Sequence, residues 1–118
     1  MKVKLGENKT PHIDGEFVDD GRFYSVPYLI EKSKSLKVFD LPLNHIDISR
    51  MPWTITNIRD YLEHTHRVNK ADLSYPIIMD YNGQILDGWH RICLAIIKKK
   101  TTVKAVRFEY YLQPTGVK

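Results

Sequence analysis

The alternation of apolar and polar positions divides this chain into short strands and helices of mixed order. Residues 1–22 show no period; Gly6, Pro11, Gly15 and Gly21 punctuate a polar stretch read as a loosely packed arm ahead of one domain at 23–118. Ser25 is placed to cap a helix over 26–36, with Pro27 in its first turn and Val26, Leu29, Ile30 and Ser33 at helical spacing. Residues 38–48 read as extended, and Pro42 restricts them to a sheet edge or to two short pieces. After a connector containing Met51-Pro52-Trp53, Thr54 or Thr56 can cap a helix over 57–68. Its expected apolar stripe is Ile58, Tyr61, Leu62, Thr65 and Val68. The run Pro76-Ile77-Ile78-Met79 within 74–81 is typical of a buried strand. Asn82-Gly83 predicts a type I′ hairpin turn into a second strand at 84–86. Asp87-Gly88 ends that strand, a helix follows over 90–99 with Ile92, Leu94, Ala95 and Ile96 inward, and a last strand spans 102–110. This order predicts one small α+β domain, a mixed sheet packed against helices.

Composition narrows the function classes. The 118 residues suffice for one core, and 42% hydrophobic with 27% charged residues is ordinary for a globular protein. No apolar run reaches membrane-spanning length, and the charged N-terminus lacks the apolar centre of a secretory signal, so a cytoplasmic protein without a membrane partner is expected. The single cysteine, Cys93, excludes an intrachain disulfide and reads as a structural thiol. Net charge is +4. From Gln84 onward, Arg91, Lys98, Lys99, Lys100, Lys104, Arg107 and Lys118 face only Asp87 and Glu109, so the surplus lies in the last third. Such a field attracts nucleotides or nucleic acid, although Lys98–Lys100 can equally be a solvated helix end complementing the helix dipole.

The candidate chemistry sits at Asp87-Gly88-Trp89-His90-Arg91, a strand–turn–helix. First-turn amides of a helix have no intrahelical partner and carry partial positive charge. Gly88 lets a ligand approach its backbone, Arg91 offers a planar cationic fork, and His90 exchanges protons near neutral pH. Asp87 is a candidate base or magnesium ligand through water, with Asp80 as a second acidic group. The plainer reading makes Asp87 a cap, Gly88 a turn and Arg91 a surface residue. His64 and Arg67, three apart, can reach one ligand from the preceding helix, whereas His64 and His66 point apart. Trp53, Tyr75 and Tyr81 are expected in packing, and Trp89 beside any ligand. No CxxC, HExxH or Walker loop is present, so no metal site is expected.

From Leu41-Pro42-Leu43-Asn44-His45-Ile46, through the helix at 57–68 and Tyr75-Pro76-Ile77-Ile78-Met79-Asp80, to Ile85-Leu86-Asp87-Gly88-Trp89-His90-Arg91-Ile92-Cys93-Leu94-Ala95 and Thr101-Thr102-Val103-Lys104-Ala105-Val106-Arg107-Phe108, the chain resembles the ParB/sulfiredoxin superfamily, including its ParB-like nuclease members. The resemblance covers 41–108. It implies that fold and a phosphate-binding turn: sulfiredoxins bind ATP on a Gly-Cys-His-Arg turn, and ParB-type partition proteins bind CTP on a Gly-Glu-Arg-Arg turn. Other relatives transfer phosphoryl groups to a small molecule or are described as nucleases. Gly88 and Arg91 match both turns, and His90 matches the sulfiredoxin one. Trp89 stands where sulfiredoxin has its reactive cysteine, which excludes that reductase chemistry, and Cys93, a helical turn later, does not replace it. The helix bearing His64 and Arg67 corresponds to one that contacts nucleotide. The chain ends too soon after the last strand for a helix-turn-helix, so a complete partition clamp is not expected.

The expectation is a phosphate-binding domain for ATP or CTP with magnesium, held by Gly88, Trp89, His90, Arg91, His64 and Arg67. If an enzyme, it is a nucleotide-dependent phosphohydrolase or phosphotransferase, or a nuclease, with His90 and Asp87 catalytic. The alternatives are a DNA-binding or nuclease module using the basic C-terminal third, and a non-catalytic interaction module.

Overall fold

The computed structural model describes residues 16–118. Seven strands and three helices form two sheets: β1 Glu16–Asp19, β2 Arg22–Ser25, α1 Val26–Ser33, β3 Phe39–Pro42, α2 Ile58–Lys70, β4 Ile77–Met79, β5 Ile85–Asp87, α3 Trp89–Ile97, β6 Thr102–Arg107 and β7 Gly116–Val117. The α+β class holds.

The larger sheet has the order β3-β6-β4-β5. β4 runs parallel to β6 and antiparallel to β5, and β3 runs antiparallel to β6. β4 is central because Ile77, Ile78 and Met79 are all buried, as a strand covered on both faces requires. Its side chains alternate between two cores. Ile77 and Met79 join Leu41, Ile85, Ile92, Ala95, Val103 and Ala105 under α3. Ile78 joins Leu29, Leu86, Val106, Phe108 and Tyr24 under α1 and the smaller sheet. β3 is an edge strand ending at Pro42, as the proline allows, but Leu43–His45 makes one 3₁₀ turn, which corrects the expectation of extended chain over 43–48.

The smaller sheet, β1-β2-β7, corrects the expectation of an irregular arm as far as residues 16–22 are concerned; residues 1–15 lie outside the described residues. The hairpin turns at Asp20-Gly21, both at positive φ (51° and 75°), as a type I′ turn demands. That conformation does not occur at Asn82-Gly83, where only Gly83 is at positive φ. There the Asp80 carboxylate accepts from the amides of Asn82 and Gln84 at 2.8 and 2.9 Å, and residues 80–84 join β4 to β5. Asp80 thus folds a turn.

α1 begins as expected, with Ser25 accepting from the Tyr28 amide. α2 is capped by Asn57, whose side chain accepts from the Asp60 amide at 2.8 Å, in place of Thr54 or Thr56. The larger correction concerns the face α2 presents. Ile58 and Tyr61 are 76% and 58% exposed, while Glu63 and Val68 are buried. The helix packs on α3 through the side carrying Glu63, His64 and Arg67, which forces polar groups inward beside the turn after β5. α3 itself buries Arg91, Ile92, Leu94 and Ala95 and leaves Ile96 at the surface. No helix among the described residues is long and apolar enough to cross a membrane.

Candidate functional site

β5 ends at Asp87, opposite Ile78 of β4, and Gly88 turns the chain into α3. Gly88 sits at φ 118°, a conformation that disfavours side chains. A Cβ here would lie 2.5 Å from Cγ2 of Ile77. The glycine is therefore required by contact with the core strand, a reason the sequence reading did not give, and it lines both clefts. Having no side chain, Gly88 also provides no side-chain cap, so the α3 amides begin without one.

Arg91 differs most from expectation. Only 8% exposed, it donates from Nη2 to the Asp87 carboxylate at 2.6 Å and from Nη1 to the Pro76 carbonyl at 2.7 Å. The pair spans one helical turn and ties the end of β5, the start of α3 and the residue before β4 together. Arg91 as a free phosphate fork and Asp87 as a free catalytic base are thereby corrected: each neutralises the other. A buried guanidinium without this partner would be costly, and the carboxylate four residues back is in register to supply it.

His64 and His90 do come together. Nδ1 of His64 lies 2.9 Å from Nε2 of His90. Trp53 stacks on both imidazoles, with centroids 4.4 Å from each and planes within 18° and 15°. Trp53 belongs to the irregular 46–57 connector, where Asp47 accepts from the Ser49 amide and hydroxyl and Asp60 from the Thr56 amide and hydroxyl. Its place over the histidines was not foreseen; the only hint in the sequence was a large aromatic in a loop.

Two clefts flank this point. One, of about 510 Å³, runs between the C-terminal half of α2 and the start of α3; Ile30, Tyr75, Pro76 and Ile78 make an apolar wall, and Arg67, Lys70 and His90 a polar side. The other, of about 460 Å³, lies under the connector and is lined by Asp47, Arg50 and Trp53. Arg67, Asp87, Gly88 and His90 line both. Trp89 reaches the second cleft while packing on the α3 core. Tyr75 is exposed at the first cleft, and Tyr81 meets Tyr111 edge to face at 6.2 Å.

The basic surplus is not gathered around the turn. Lys98, Lys99 and Lys100 are exposed at the far end of α3, about 15 Å or more from Gly88 at 1.5 Å per residue. Arg107 donates to the Tyr81 carbonyl. Beside the paired Arg91, the cations lining the first cleft are Arg67 and Lys70, from α2. Burial pushes the Cys93 thiol above its ordinary value, which disfavours a reactive thiolate. Among the described residues, no group of three or more His, Cys, Asp or Glu is placed to hold a metal ion. The chain matches no protein-family model, no curated protein and no solved structure.

Proposed function

We propose that the chain binds a phosphate-bearing ligand of the nucleotide type in the 510 Å³ cleft between α2 and α3. One observation carries this reading: Arg67, Lys70 and His90 line one cleft with the start of α3 and with apolar side chains, and of the two carboxylates there Asp87 is neutralised by Arg91. Cations and helix-start amides suit phosphates, and a wall of Ile30, Pro76 and Ile78 beside Tyr75 suits a planar base. Arg91 acts by holding the turn, and the direct phosphate contacts fall to Arg67 and Lys70. Magnesium arrives with the phosphates, which ordinarily supply most of its non-water ligands. Residues 41–108 are read as a ParB/sulfiredoxin-type arrangement, supported by the order β3, α2, β4, β5, α3, β6. Where the ligand is hydrolysed or transferred, His90, which lines both clefts, is the proton carrier.

Calorimetric titration of ATP and CTP, with and without magnesium, tests the reading. Arg67→Ala is expected to weaken binding at least about tenfold, the loss of one charge-assisted contact, and adenosine and cytidine to bind worse than their triphosphates. Nucleosides binding as tightly as nucleotides, or no binding at all, would overturn it.

A second reading, DNA binding, has its own observation: Lys98, Lys99, Lys100, Lys104 and Arg107 are all exposed. Salt-sensitive DNA binding that is lost on replacing Lys98–Lys100 with alanine, and kept in Arg67→Ala, favours this reading.

A further inference from the structure

Trp53 stacks the 46–57 connector on His64 of α2 and His90 of α3, and one nitrogen–nitrogen hydrogen bond joins the two imidazoles beneath it. Such a bond needs one nitrogen with a proton and one without. With both rings neutral the bond forms. One added proton makes it charge-assisted, and the indole face above favours the cation. A second added proton sets N–H against N–H and places two positive rings with centroids 5.2 Å apart. The bond cannot survive that state.

We propose that the His64–His90 pair is a two-step proton latch that holds Trp53 and its connector against the start of α3, closed with none or one added proton and opened by the second. The two steps belong to the pair rather than to either ring. Described charged groups around the pair come from every neighbouring element. α2 brings Arg67 and Lys70, with Glu63 and Arg59 on the preceding turn; the connector brings Asp47 and Arg50; Asp72 follows α2; β1 brings Glu16. Asp87 and Arg91 are paired with each other. Bonds from the Ser49 hydroxyl and amide hold Asp47 below the usual carboxylate range, and Ser74 does the same for Asp72. Both therefore stay anionic while the histidines titrate. Because His90 lines both clefts, opening alters both together. The latch is independent of what the clefts bind, so failure of the ligand reading leaves it standing.

The test uses the full chain carrying Trp89→Phe, which leaves Trp53 as the one tryptophan. Its emission is followed without ligand as pH is lowered from neutrality, because a stacked imidazolium quenches indole differently from imidazole. Two separated steps are expected, reduced to one or none in His64→Asn and in His90→Asn with far-UV circular dichroism unchanged. A single step, or two steps that persist in both variants, overturns the latch. Nitrogen-15 spectra of histidine-labelled wild-type chain decide the matter if a variant fails to fold. Coupled titration of the two assigned rings supports the latch, and two independent single titrations overturn it.

Discussion

Gly88 and the Asp87–Arg91 pair show how a turn that reads as a ligand site can be required by the fold itself. Alanine at 88 would place Cβ 2.5 Å and 2.7 Å from two Ile77 side-chain atoms while holding φ at 118°. Gly88→Ala is expected to cost about 2–4 kcal/mol, overpacking and backbone strain together, measured by urea unfolding. Asp87→Ala leaves Arg91 buried with only the Pro76 carbonyl. A loss of about 3 kcal/mol is expected, and Asp87→Ala with Arg91→Met should cost clearly less than the two single changes added. Additive costs in that cycle would show that the two residues do not act as a pair. These residues were legible as special from sequence, because glycine after aspartate at a strand end signals a turn. What they serve was not: the space a Cβ would need is occupied by a residue eleven positions away.

α2 shows the same limit on the scale of an element. Its helical period and length are written locally, but which side faces inward depends on what the neighbouring element offers. The start of α3 offers His90, and so His64 and Arg67 turn inward while Ile58 and Tyr61 remain at the surface. Ile58→Ser and Tyr61→Ser are expected to change stability by no more than about 0.5 kcal/mol. Val68→Ala should cost about 2 kcal/mol, the loss of buried methyl groups plus a cavity. Comparable losses at all three positions would contradict this orientation. The Asp20-Gly21 hairpin, by contrast, carries a type I′ dipeptide that the sequence reading passed over, because it lies within a stretch whose flanking strands are too short to show alternation.

Over the whole molecule, the two sheets are joined through Tyr24, which lies in the second core and donates to the Leu112 carbonyl at 2.8 Å. Burial, and then the neighbouring Tyr111 hydroxyl, pushes its phenol up to about 12 from an ordinary 10. The folded state thus holds this proton more tightly than the unfolded chain. Its contribution to stability is complete below pH 10 and is lost as pH rises towards about 12. Tyr24→Phe should flatten the fall in urea midpoint over that interval, and an unchanged slope would show that another group governs it. At the same scale, β7 closes the smaller sheet through Gly116, where a Cβ would lie 2.9 Å from the Phe23 ring.

The sequence by itself determined the order of most helices and strands in the last two-thirds of the chain, the α+β class, and the turn after β5 as a place of special residues. Those properties depend on residues within a few positions of one another: periodicity, caps and glycines. Only the tertiary structure decided that Arg91 is spent on Asp87, that Arg67 and Lys70 of α2 line the first cleft, and that Trp53 covers two histidines twenty-six residues apart. Each of those outcomes is fixed by which surfaces meet when α2 settles on α3, and a linear pattern holds no record of that contact.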